Sequence, residues 1–213
     1  MSRAAQALFF WLVVRPLVLV VLGLNVRHRE RLPTGGPAII VANHNSHLDT
    51  LVLMTLLPAR LLPKIRPVAA ADYFLRNRLV AWFALHIMGI IPVERRGAAP
   101  GADPLAGAAA ALDRGDIVIL FPEGTRGEPE QLGALKSGVA HLAKRYPAVP
   151  VIPVFMHGLG KSLPRGAFLP VPFFCDVFVG EALHGQDDHK AFMERLGAGM
   201  REIAGEEHLV EWA

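Results

Sequence analysis

The chain has 213 residues, enough for one well-buried domain and too few for two of ordinary size. Hydrophobic residues make up 52% and the mean hydropathy is +0.35, greasy for a soluble protein, yet the several long apolar runs of a multispanning protein are absent. The net charge of +3 conceals a division, since residues 1–100 carry 12 Lys and Arg against 4 Asp and Glu while the rest carry 10 against 15; the basic residues are interleaved with Leu, Val, Ile and Phe, which favours anionic lipid headgroups as partner over nucleic acid.

From Ala4 to Val26 the sequence is apolar except for Gln6, Arg15 and Asn25. As one helix it would measure roughly 34 Å at about 1.5 Å per residue, long enough to span a bilayer. A mid-segment Arg15 costs about 2.5–3.5 kcal/mol on insertion, and Pro16 removes a helical hydrogen bond beside it. The pair therefore predicts two elements, Ala4 to Val14 and Leu17 to Leu24, meeting at a kink and lying in one leaflet. No small-x-small cleavage site follows Leu24. Instead come Arg27, His28, Arg29 and Arg31, which retain the downstream domain on the cytoplasmic side and pair with anionic lipid. The alternative is an apolar helix packed on the domain. The expected organisation is a membrane-associating segment over residues 1–32 and one domain over residues 33–213.

Past the Pro/Gly turn at Pro33 to Pro37, Ala38 to Ala42 is short, apolar and β-branched, as a fully buried parallel strand is. Leu48 to Leu57 reads as a helix closed by Pro58, Pro67 to Ala71 as a strand, Phe74 to Ile87 as a helix and Gly89 to Val93 as a strand. Pro104 to Leu112 is an Ala-rich helix with Asp103 as N-cap. Ile117 to Phe121 is a buried strand, Ala134 to Arg145 a helix, Val151 to Phe155 and Phe173 to Val179 strands, and His189 to Ala204 a surface-covering helix. This alternation predicts an α/β fold, a largely parallel central sheet flanked by helices, with the site in loops at the carboxyl ends of strands.

The first such loop is Asn43-His44-Asn45-Ser46-His47-Leu48-Asp49. On a regular helix His44 and Asp49 would stand about 140° apart at roughly 100° per residue. They meet if His44 stays in the loop and the chain turns over it, so that Asp49 accepts the ring proton, fixes the tautomer and supports an imidazolium. The competing readings are a capping box formed by Ser46 and Asp49, and an ordinary polar loop histidine. Next, Gly89 to Arg96 is a strand delivering Arg95 and Arg96 at its carboxyl end. A guanidinium suits phosphate through two parallel charge-assisted bonds, and the alternative is a surface ion pair with Glu94. The third element, Phe121-Pro122-Glu123-Gly124-Thr125-Arg126, offers a carboxylate, an accessible glycine amide, a hydroxyl and a guanidinium within four positions. That set is able to take a glycerol hydroxyl and a phosphate together. Last comes Val149 to Val154, whose prolines suit an edge or entry position and whose default role is packing.

This ordered set, from Asn43 to Val154, resembles the glycerolipid acyltransferase family that includes the 1-acylglycerol-3-phosphate acyltransferases: an HxxxxD box, a Gly-x-x-x-x-acid-Arg box, a Phe-Pro-Glu-Gly-Thr-Arg box and a Val-Pro-x-x-Pro box. The first and third are specific, the second less so, the fourth weakly. The resemblance implies His44 as base, Asp49 as its partner, Arg95 and Arg126 as phosphate ligands, and Glu123 with Gly124 in the acceptor site. Glu94 stands where the family usually has Asp, and Pro92 where it has an aromatic or β-branched residue. It implies direct acyl transfer from an acyl-CoA or acyl-carrier-protein co-substrate to a lysophospholipid, 1-acylglycerol 3-phosphate first, with no metal or tightly bound cofactor. The place is the cytoplasmic face of an inner or plasma membrane, with membrane lipids as partners. Alternative acceptors are glycerol 3-phosphate, another lysolipid or an amino-acid lipid, by acyl transfer or transacylation. A non-catalytic membrane-binding module is the alternative of another class, and the intact His44, Asp49, Glu123 and Arg126 count against it.

Other chemistries lack their residues. Gly158 to Ser162 mimics the end of a phosphate-binding loop, but Phe155 occupies the position of its first glycine. There is no Gly-x-Ser-x-Gly nucleophile elbow. The lone Cys175 forms no internal disulfide and no metal site, and the remaining histidines have no convergent ligand spacing. Lys161 and Arg165 are placed to add charge near a headgroup.

Overall fold

The computed structural model describes residues 3–74, 77–94, 103–124, 132–162, 171, 173–185 and 188–206. Seven strands form one sheet: β1 (Leu22–Arg27), β2 (Ala38–Ala42), β3 (Ile65–Ala70), β4 (Ile91–Val93), β5 (Ile117–Leu120), β6 (Val151–His157) and β7 (Phe173–Val179), in the order β1-β7-β6-β2-β5-β3-β4. The five strands from β6 to β4 are mutually parallel. β7 runs antiparallel to β6, and β1 is parallel to β7. The helices are α1 (Arg3–Phe9), α2 (Leu48–Leu56), α3 (Ala71–Phe74), α4 (Arg78–His86), α5 (Ala106–Asp113), α6 (Gly138–Arg145), α7 (Leu159–Ser162) and α8 (His189–Gly205).

The two central strands explain the layering. Every residue of β2 and β5 is buried, as a strand covered on both faces requires. Side chains alternate across the pleat, so Ala38, Ile40 and Ala42 join one core with α2, Ala84 of α4 and the N-terminal helix, while Ile39 and Val41 join another with α5, α6 and α8. The chain thus leaves β2 toward one face and β5 toward the other. Because β2 and β5 are neighbours, with Val41 beside Leu120, a crevice opens between their carboxyl ends, where a doubly covered sheet places its ligand.

The expected strands Ala38 to Ala42 and Phe173 to Val179 are found with those bounds, and the others differ at one or both ends by one or two residues. α6 begins at Gly138, four residues later than expected; of the expected Phe74 to Ile87 helix, Arg78 to His86 is found as α4, capped by Asn77, while Phe74 ends the separate α3. Asp103 is not the N-cap expected of it: α5 begins at Ala106 with Leu105 before it, and Asp103 instead accepts from Leu105 N–H at 2.8 Å in the turn that leads into the helix. β6 is an interior strand, yet it contains Pro153. Val151 exchanges both backbone bonds with Leu183, so alternation turns the Pro153 nitrogen to that same side, away from β2; its carbonyl accepts from Gly180 N–H there. The β2 ladder therefore loses no donor.

The N-terminal segment differs most from expectation. Arg15 and Pro16 both keep helical angles, and the turns on either side, Phe10–Val14 and Leu17–Val21, widen to π geometry, which accommodates a residue without an N–H. The expected second element ends at Val21, and Leu22–Arg27 pairs with β7 as an edge strand. Phe10, Val14, Val18 and Leu22 are buried in the core, and Gln6 donates to the Ile87 carbonyl at 2.9 Å. No helix among the described residues is long and apolar enough to cross a membrane.

Candidate active site

The loop after β2 wraps around one carboxylate. Asp49, in the first turn of α2 and fully buried, accepts through Oδ2 from Asn45 N–H at 2.6 Å, Ser46 N–H at 2.8 Å and His44 Nδ1 at 2.8 Å. Three donors on one oxygen fix the arch of residues 44–46, and this brings together two side chains that a continuous helix would hold apart. The capping box does not form: His47 precedes α2 without a side-chain cap, and Asp49 N–H is met by the Ser46 backbone carbonyl at 3.3 Å rather than by its hydroxyl. Because a carboxylate only accepts, Nδ1 carries the proton and Nε2 keeps its lone pair.

Two buried amides hold the loop from behind. Asn43 donates to the Met156 carbonyl at 2.9 Å and accepts from the Met156 N–H at 2.7 Å, and Asn45 donates to the same carbonyl at 2.8 Å. Met156 belongs to β6, so the strand adjacent to β2 braces the histidine loop. On the other side β5 delivers the second loop. The His44 ring stacks on Phe121 with centroids 4.3 Å apart, and Glu123 Oε1 accepts from the His44 N–H at 3.3 Å. Burial raises the pKa of Glu123 above the ordinary carboxylate range, and the bond from His44 opposes that shift.

His44 looks into a cleft of about 640 Å³ whose wall is largely apolar, including Phe9, Val68, Val80, Phe83, Met88, Ile90 and Val93. Gly124 and Lys136 are on its wall as well. Gly124 has φ +73°, a conformation that favours glycine, and a Cβ there would collide with the Lys136 side chain. Among the described residues no group of three or more His, Cys, Asp and Glu converges as a metal site.

The structure thus brings together His44, Asp49, Glu123 and Gly124. Glu123 is nearly inaccessible and lies behind the His44 backbone, away from the cleft wall. Arg95, Thr125, Arg126 and Arg165 lie outside the described residues. Val93, two residues before Arg95, and Gly124, two before Arg126, nevertheless line the same cleft. Lys161 stands 5.6 Å from the Phe173 ring. Sequence reasoning missed the bracing role of Asn43 and Asn45, whose signal is an amide at the end of a buried strand, where it must find partners. It also missed Lys136, a single lysine before a helix with no motif of its own.

A family model described as Acyltransferase matches residues 23–157. The chain is 31% identical over 145 residues to a chloroplastic 1-acyl-sn-glycerol-3-phosphate acyltransferase of Arabidopsis thaliana, covering 68% of this chain and 38% of that protein. Against the human 1-acyl-sn-glycerol-3-phosphate acyltransferase alpha it is 31% identical, over 62% of this chain and 45% of the relative. The match therefore spans about two fifths of those relatives. A Bacillus subtilis 1-acyl-sn-glycerol-3-phosphate acyltransferase is 29% identical over 180 residues, covering 83% of this chain and 82% of its own. The crystal structure of the 1-acyl-sn-glycerophosphate acyltransferase PlsC from Thermotoga maritima superposes with a TM-score of 0.75 at 20% identity, over 99% of this chain and 81% of that one, and so shares the fold.

Proposed function

The chain belongs to the acyltransferase family, and we propose that it moves a fatty acyl group from an acyl thioester to the free hydroxyl of a lysophospholipid, with 1-acylglycerol 3-phosphate as acceptor and phosphatidic acid as product. The observation that carries this reading is the 2.8 Å pair of His44 Nδ1 with buried Asp49, beside an apolar cleft large enough for acyl chains. His44 Nε2 takes the proton of the acceptor hydroxyl as its oxygen attacks the thioester carbonyl. The tetrahedral intermediate collapses, the carbon–sulfur bond breaks, and the proton passes from the imidazolium to the departing thiolate. Asp49 stabilises the imidazolium and holds the ring. The thioester is already activated, so positioning dominates and the reading assigns no metal or cofactor to the chemistry. Arg95 and Arg126 are assigned to the acceptor phosphate. Glu123 is assigned to holding the His44 backbone rather than to contact with the acceptor, since His44 N–H is its hydrogen-bond donor and it does not line the cleft.

We place the protein on the cytoplasmic face of a membrane. The large hydrophobic side chains exposed among the described residues fall in three short segments, 8–20, 79–82 and 171–174. Phe9 and Val80, from the first two, also line the cleft, so an acyl chain has an apolar route to His44. Arg15 lies 4.5 Å over Trp11, an arrangement suited to the headgroup level.

The test is an acyl-transfer assay of the full chain with vesicles containing lysophosphatidate, other lysophospholipids, an amino-acid lipid or monoacylglycerol, and with soluble glycerol 3-phosphate, each with CoA and carrier-protein thioesters. Phosphatidate should be the main product, and the protein should sediment with anionic vesicles. Equal use of the phosphate-free monoacylglycerol overturns the acceptor assignment, and no transfer to any acceptor overturns the enzyme.

A further inference from the structure

Among the described residues that line the cleft, Lys136 is the only lysine or arginine. Its backbone is tied to the loop after β5, donating from N–H to the Pro122 carbonyl at 2.9 Å. The residue is exposed, yet its side chain runs back along Gly124. An ideal Cβ at Gly124 would lie 2.8 Å from Lys136 Cε, 3.2 Å from Cδ and nearer still to Nζ. The ammonium therefore sits on the α-carbon of the residue between Glu123 and Thr125, and Phe121 of that same turn stacks on the His44 ring. The missing side chain of Gly124 makes this approach possible, and its φ of +73° reinforces the requirement for glycine. A surface lysine contributes little by packing, and its four-carbon stem is costly to order. Held against a glycine on the wall of the largely apolar cleft into which His44 looks, its charge is presented to an anion that enters there.

We propose that Lys136 is a ligand of the acceptor's phosphate, supplying a point charge to the anion assigned to Arg95 and Arg126. This rests on the acceptor reading above and adds a residue outside every motif. In the sequence Gly124 is followed by Thr125 and Arg126, and the Lys136 ammonium rests on Gly124 beside the cleft into which His44 looks. Lysine suits this place because its three donors rotate to meet a phosphate without the planar geometry an arginine demands.

The test is steady-state kinetics of the full chain and of Lys136→Met, which keeps an unbranched side chain of similar girth. Acceptor and thioester concentrations are varied in turn. The acceptor KM for lysophosphatidate should rise roughly tenfold or more, as loss of one charge-assisted bond implies, while the thioester KM stays within about twofold. Lys136→Arg, bulkier but still cationic, should restore most of the acceptor affinity, a rescue that a packing role would not show. The proposal is overturned if Lys136→Met raises the thioester KM instead, or leaves both constants unchanged, or if Lys136→Met and Lys136→Arg lose the same activity. Wild-type protein that does not acylate lysophosphatidate at all overturns the acceptor reading itself, an outcome separable from a wild-type activity that Lys136 does not influence.

Discussion

The two ends of the β2–β5 pair each bury an aspartate, and the partners differ. At the carboxyl end Asp49 meets His44 and two backbone amides, and Oδ1 has no hydrogen-bond partner among the described residues. At the amino end Asp116, just before β5, meets Arg66 Nε and an Arg114 nitrogen, each at 3.3 Å. A guanidinium offers only donors, so the Asp116 cluster is an ion pair closed on itself and acts as a clamp. The imidazole of His44 has a second ring nitrogen besides the one that meets Asp49, and the ring opens on a cleft. Burial of a carboxylate marks neither role; the partner and the access decide it.

The largest effect that separates the two ends is on turnover. His44→Ala should lower kcat by about a thousandfold or more with an unchanged melting temperature, and Asp49→Asn should lower it by roughly a hundredfold or more, because the amide favours the wrong ring tautomer. A folded His44→Ala protein retaining more than about a tenth of the rate would remove His44 as the base.

At the other end the expected loss is in stability. Asp116→Asn leaves Arg66 without its carboxylate. Arg114 is more than half exposed and contributes little, so the cost should be about 1–3 kcal/mol, read from the urea midpoint, with kcat within about twofold. A collapse of kcat without a change in midpoint would erase the contrast drawn between the two aspartates.

The smallest effect sharpens the role of Glu123. Its carboxyl pKa is raised in the folded protein by burial, so its stabilising contribution is complete below the unfolded value of 4.5 and is lost as pH rises through the folded value. Glu123→Gln keeps an oxygen for the His44 N–H and cannot ionise. Its melting temperature should fall less than that of the wild type between pH 4.5 and neutrality, and kcat should stay within about tenfold. If Glu123→Gln instead raises the acceptor KM strongly at constant stability, Glu123 contacts the acceptor.

The fold was most legible where one physical signal dominated. Ala38 to Ala42 and Ile117 to Leu120 are apolar on both faces, and only a strand covered on both sides meets that description. Leu22 to Arg27 was illegible for the opposite reason. It continues an apolar run without a break, and its alternation of exposed and partly buried positions emerges only beside β7. The late start of α6 follows from residues 132–137 being drawn over the second loop, where Lys136 bonds to Pro122. In the site, the spacing of His44 and Asp49 was readable because both lie in one short loop. The Asn43 clamp joins residues 113 positions apart, and the Lys136 contact with Gly124 depends on a side-chain path that no local pattern encodes.

By itself the sequence determined the elements whose causes are local: buried strands from unbroken apolar runs, an Ala-rich α5, and the residue types able to abstract a proton and hold a phosphate. Only the tertiary structure decided which strands are neighbours. Placing β5 beside β2 set Phe121 and Glu123 against His44, and β6 on the other side put Met156 within reach of Asn43 and Asn45. It also decided that the apolar N-terminus contributes a strand and core residues. The physical reason is that strand order is selected by burial summed over both faces of the whole sheet. That quantity has no local expression in the chain, because each strand contributes the same apolar pattern wherever it is placed.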